Sequence, residues 1–145
     1  MIGSLVIGTD GSASVGRAVE VALDMAQRFD AEVHALYVVD EGDVTSSPES
    51  VRAELREGLR ERGAEAVGEV AEAASGPITT AVREGRPAPA IVEYAREVDA
   101  DAVAVGTRGR HGENRFLIGS VAESVVRSCP MPVLTVRQLN GEAEE

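Results

Sequence analysis

Ser4-Leu5-Val6-Ile7-Gly8-Thr9-Asp10-Gly11-Ser12 is an apolar run that ends abruptly in a small-residue turn. It reads as a buried strand whose far end turns into a helix near Ser12. From there Val15, Ala18, Val19, Ala22, Ala26 and Phe29 recur at three- and four-residue steps, with Arg17, Glu20, Asp24 and Arg28 on the opposite side. That is an amphipathic helix. Residues 32 to 39 are almost continuously apolar, as expected of a parallel strand covered on both faces. A strand, a crossover helix and a second buried strand already define a βαβ unit.

The rest of the chain repeats the alternation. Residues 40 to 47 are polar, and Ser46-Ser47-Pro48-Glu49 carries the serine cap, early proline and acidic first turn of a helix start. A long helical pattern through Val51, Leu55, Leu59, Ala66 and Val70 follows to about Ala74. Gly58, Gly63 and Gly68 interrupt it, each at about 1 kcal/mol relative to alanine, so a kink or break near Gly63 is expected. A strand over 78–83, a helix carrying Ile91, Val92, Ala95 and Val98, a strand over 102–106, a helix over 119–128 and a last strand over 133–137 complete the pattern. Five strands alternating with four helices predict an α/β fold, a doubly wound five-stranded parallel sheet of order 3-2-1-4-5. It is read as a single domain over 1–139, with a disordered acidic tail over 140–145.

Composition sets the boundaries. The chain has 145 residues, 25 Asp plus Glu against 14 basic residues, and a formal net charge of -11. A chain of this length buries roughly 70% of its unfolded surface, enough for a core without staples. The single Cys129 excludes an intrachain disulfide, and no Cys/His spacing fits a zinc site. Cys129, next to Pro130 with no nearby histidine, reads as a small hydrophobe, and His34 in its apolar strand as structural. No apolar run approaches the roughly 20 residues of a membrane span, and the first residues carry no basic export signal. A cytoplasmic protein with no membrane partner is expected. The acidic surface also excludes a nucleic-acid partner, because phosphate-backbone binding needs a basic stripe. All 14 basic residues are arginine. The absence of lysine excludes a P-loop lysine or a Schiff base, and the acidic, lysine-free balance points to solubility in high salt, the alternative being a GC-rich genome that favours arginine over lysine.

In open sheets of this kind a ligand sits beyond the carboxyl ends of the strands, where the strand order reverses. For the order 3-2-1-4-5 that crevice lies between the first and fourth strands. Asp10 leaves the first and Gly106 the fourth. The second loop reads Gly106-Thr107-Arg108-Gly109-Arg110-His111-Gly112-Glu113-Asn114-Arg115-Phe116-Leu117-Ile118-Gly119-Ser120. Its glycines let backbone amides approach an anion, and Gly119-Ser120 opens a helix whose first amides and positive dipole end lack internal partners. Arg108, Arg110 and Arg115 stand against Glu113 alone, a positive patch on a negative protein. Phosphate is the guest these features suit. For Asp10 the alternative is a turn or cap residue, and for the arginines and His111 solvated loop charges.

These residues carry a resemblance to the universal stress protein family across nearly the whole chain. Its nucleotide-binding members show Gly, two residues, Gly, nine residues, Gly, then Ser or Thr, matched by Gly106, Gly109, Gly119 and Ser120 in a strand-loop-helix context. The resemblance implies a Rossmann-like fold of the adenine nucleotide alpha-hydrolase type that binds ATP, or another adenine nucleotide, with Mg²⁺ carried on the phosphates. It places Gly109, Gly119 and Ser120 at the phosphates, Asp10 near the adenosine, Thr9 and Val39 at the adenine through their backbone, and Val105, Gly106, Val121 and Ala122 along the wall. Family members often have Thr or Ser where Ala122 stands, so one hydroxyl contact is lost here. The resemblance also implies a homodimer through the last strand, Pro132 to Val136. The function expected is a nucleotide-dependent stress-response and signalling module that reports to an unidentified protein partner. Two alternatives are a slow ATPase or adenylate-transferring enzyme using His111 or Asp10, and a nucleotide-free dimeric scaffold. The chain lacks both the Gly-x-x-x-x-Gly-Lys-Ser/Thr loop and the Ser-Gly-Gly-x-Asp-Ser loop, and no catalytic residue or protein-held metal is assigned.

Overall fold

The computed structural model describes residues 2–107 and 119–139. Strand β1 (Ser4–Gly8) is followed by a 3-10 turn (Ala13–Val15), helix α1 (Gly16–Phe29) and strand β2 (Glu32–Asp40). A one-turn helix α2 (Glu41–Thr45), a second 3-10 turn (Glu49–Val51) and the long helix α3 (Arg52–Ala73) lead to strand β3 (Ile78–Gly85). Helix α4 (Pro87–Glu97), strand β4 (Ala102–Gly106), helix α5 (Ser120–Ser128) and strand β5 (Val133–Val136) follow. The sheet order is β3-β2-β1-β4-β5 with every pairing parallel, as the alternation required.

Strand side chains alternate between faces, so the sheet divides two cores. Leu5, Ile7, Val33, Ala35, Tyr37 and Val39 pack with α1 and α3 through Ala22, Ala26, Leu59, Ala66, Val67 and Val70. Val6, Leu36, Val103 and Val105 pack with α4 and α5 through Ile91, Tyr94, Ala95, Ala122 and Val125. Each valine, leucine or isoleucine among them contributes about 1.5–3 kcal/mol when fully buried, and every residue of β1 is buried.

Several expectations are corrected. Helix α3 runs unbroken through Gly63. That glycine lies where the helix presses on the sheet, and a Cβ there would stand 2.6 Å from Cδ1 of buried Tyr37. The missing side chain therefore allows a close approach and does not break the helix. Residues 41–45, expected as a polar connection, form α2, because the Asp40 carboxylate accepts a hydrogen bond from the Gly42 amide at 2.9 Å and Val44 is fully buried. The Ser46 to Glu49 start is the entry into the second 3-10 turn, with α3 following from Arg52.

Phe29, expected on the buried stripe of α1, is 51% exposed. Asp30 takes the left-handed conformation (φ 57°) and the Ala31 amide donates back to the Ala26 carbonyl, so the chain turns away beneath the last helical residue. β3 extends two residues beyond the expected 83, to Gly85, and its Glu84 receives Arg56 at 2.9 Å and Arg60 at 3.2 Å from α3. The expected acidic tail over 140–145 lies outside the described residues. No helix among the described residues is long and apolar enough to cross a membrane.

Candidate functional site

A cleft opens at the carboxyl ends of the strands, between β1 and β4. One side is the turn after β1. The Thr9 amide donates to the Leu36 carbonyl at 2.9 Å, which holds the end of β1 to β2, while its hydroxyl accepts from the Gly11 amide at 3.1 Å. Gly11 has φ 78°, a conformation that suits glycine. Oδ1 of Asp10 accepts from both the amide (2.9 Å) and the hydroxyl (2.6 Å) of Ser12, and the Ser12 hydroxyl accepts in turn from the Ser14 amide at 3.2 Å. The turn reading of Asp10 is thus realised, and the residue also lines the cleft.

The facing side comes from β4 and α5. Val105, Gly106 and Thr107 leave the sheet here, and Gly119, Ser120, Val121 and Ala122 enter α5. The Gly119 amide donates to the Thr107 carbonyl, tying the start of α5 to the residue after β4. The first bond of the helix runs from the Glu123 amide to the Gly119 carbonyl at 2.9 Å. By helix geometry the amides of Ser120, Val121 and Ala122 then have no partner inside the helix. They head a nine-residue helix whose dipole favours negative charge at this end. Gly106 has a packing reason as well, since a Cβ there would lie 3.1 Å from Val15 Cγ1.

The remaining wall is apolar. Leu36 and Val38 of β2 line the cleft together with Pro87 and Ile91 of α4, and Asp40 stands at the rim. Of the expected residues, the cleft brings together Thr9, Asp10, Val105, Gly106, Gly119, Ser120, Val121 and Ala122. Val39 is not among them: strand alternation sends its side chain to the α1/α3 core, where it is buried, and puts the side chain of Val38 at the cleft, which leaves only the backbone of Val39 for the contact expected of it. Arg108, Gly109, Arg110 and His111 lie outside the described residues. The signals overlooked in the sequence were the parity of positions 36, 38 and 40 on β2 and the short Gly85-Arg86-Pro87 link, which delivers α4 to the same end of the sheet.

Other reactive groups stand elsewhere. His34 Nδ1 lies 3.1 Å from the Tyr94 hydroxyl, within the structural role expected for it. Burial pushes the Tyr94 phenol up, against the opposing pull of the Arg83 cation. Cys129 is half-buried and turns its thiol toward the Met131 sulfur at 3.6 Å. Among the described residues no group of three or more His, Cys, Asp or Glu is placed to hold a metal ion.

The model of the universal stress protein family matches residues 1–137. A universal stress protein of Methanocaldococcus jannaschii is 43% identical over 142 residues, covering 95% of this chain and 84% of that protein. A solved universal stress protein in complex with cAMP is 29% identical, with a TM-score of 0.68, over 94% of this chain and 97% of its own. Another, from Archaeoglobus fulgidus in complex with dAMP, is 26% identical with a TM-score of 0.62, over 94% of this chain and all of its own, 100%.

Proposed function

Because the chain belongs to the universal stress protein family, we propose that its cleft holds an adenine nucleotide, ATP in the cell, and that occupancy is the signal it passes on in a stress response. The observation that carries this reading is the meeting of two features in one cleft: the first amides of α5, which have no partner inside the helix, and an apolar wall from β2, β4 and α4. The first suits phosphates and the second a purine base. The relatives solved with dAMP and cAMP support the adenine choice.

In this reading Ser120, Val121 and Ala122 receive the phosphates through their amides, with Gly119 giving room. Gly109, Arg108 and Arg110 come from the adjoining segment. Asp10 and Thr9 stand at the adenosine, and Val105 and Gly106 along its side. Mg²⁺ arrives on the phosphates. A binding module is preferred to an enzyme because the carboxylates lining the cleft already serve the backbone: Asp10 holds the Ser12 turn and Asp40 caps α2.

A homodimer through Pro132 to Val136 belongs to the same proposal, supported by the position of β5 at the sheet edge with Val133 and Leu134 half-buried. A cytoplasmic location and a protein partner that reads the nucleotide complete it. Displacement of a fluorescent ATP analogue tests the reading. ATP, ADP and dAMP should compete and inorganic phosphate alone should not; analogue that is never bound, or is displaced by phosphate alone, would overturn it.

A further inference from the structure

Gly8 is buried in the central strand, where a glycine weakens the sheet because it packs no side chain and loses more freedom on folding than any other residue. Gly11, Gly106 and Gly63 have reasons inside the protein. Gly11 needs its positive φ, and Gly106 and Gly63 sit against Val15 and Tyr37 at distances a Cβ could not keep without displacing them. Gly8 has neither reason. Its φ is ordinary, and a Cβ there would make normal contacts, 3.4 Å to Val105 Cγ1 and 3.5 Å to Ile91 Cδ1. Folding alone would accept alanine at this position. Yet Gly8, Val105 and Ile91 all line the cleft, so that methyl group would fill part of its floor.

We infer that Gly8 is a specificity residue whose missing side chain gives the floor of the cleft the depth of a bicyclic purine. The inference rests on the nucleotide reading above and says which part of the ligand the space serves. The floor lies between aliphatic side chains, where ribose hydroxyls or phosphates would be stripped of water without partners. A flat apolar base loses little there. A monocyclic pyrimidine would leave the space half-used, whereas the second ring of a purine occupies it.

Calorimetry on the full-length wild type, Gly8→Ala and Gly8→Val, with Mg-ATP, Mg-CTP and tripolyphosphate as separate probes, tests this. Gly8→Ala should weaken ATP at least about tenfold, the scale of one methyl group in a fitted pocket. CTP should suffer less, so discrimination between the two narrows, and tripolyphosphate should bind as before. Gly8→Val should extend the trend. The unliganded melting temperature of Gly8→Ala should equal or exceed the wild type, which separates a ligand role from a folding role. Unchanged ATP affinity in Gly8→Ala, equal loss of ATP and tripolyphosphate, or a lowered melting temperature would each overturn the inference. Failure of the nucleotide reading itself appears differently, as no ATP binding by the wild type, and would take the inference with it.

Discussion

Replacing Gly63 by alanine should destabilise the protein, although alanine is the better helix former. Helix propensity favours the change by about 1 kcal/mol. Against it, the new Cβ would stand 2.6 Å from Cδ1, 3.0 Å from Cγ and 3.1 Å from Cε1 of Tyr37, whose ring is 2% exposed. The ring cannot swing into solvent, so α3 and β2 must separate by nearly an ångström along the seam where Leu59, Ala66 and Val67 pack. Overpacking of this kind costs typically 1–3 kcal/mol, and a buried ring against a helix backbone belongs at about the upper end. The net loss should be about 2 kcal/mol. The same helix supplies its own control. A Cβ at Gly58 or Gly68 meets nothing within 4 Å, so alanine at either should stabilise by up to about 1 kcal/mol. At roughly 3 °C per kcal/mol for a chain of this size, Gly63→Ala should melt about 6 °C lower and the other two about 3 °C higher. Thermal melts and urea midpoints at one fixed salt concentration measure the contrast. Gly63→Ala melting at or above the wild type would refute the close-approach argument.

Gly119→Val should abolish ATP binding, because Gly119 lines the cleft at the start of α5 and its φ of -62° and ψ of 159° accept any residue, so the added side chain takes cleft volume without straining the backbone. Calorimetry checks it, and unchanged affinity would remove Gly119 from the site. Glu84 is held below the usual glutamate range chiefly by the hydrogen bond from Arg56, with burial opposing and Arg60 assisting. A depressed carboxylate stabilises the fold above its unfolded pKa and loses that contribution as pH falls through the folded value. Wild type should therefore exceed Glu84→Gln by up to about 1 kcal/mol at neutral pH, and urea midpoints should converge on acidification below the ordinary glutamate range. An unchanged gap there would contradict the pairing.

The fold was legible because buried parallel strands write themselves as short apolar runs, and 4–9, 32–39 and 102–106 could be little else. The cleft followed from topology, since Asp10 and Gly106 close the two strands that flank the reversal. What escaped depended on partners distant in sequence. Gly63 looks like a helix breaker until Tyr37 is seen across from it. Phe29 fits the stripe of α1 but falls at the turn after Ala26, where no sheet remains to cover it. Val39 and Val38 are equally apolar, and only the parity of β2 tells which faces the cleft. The short helix after Asp40 was announced by its cap and the acidic residues Glu41 and Asp43, though five residues are too few for a periodic pattern.

The most direct test of the central claim is titration of nucleotide-stripped protein with Mg-ATP in a calorimeter, at moderate and at molar salt because screening weakens phosphate electrostatics. Saturable binding near one ATP per chain, with no ADP formed during the titration, is the predicted result. No binding at either salt would contradict the account.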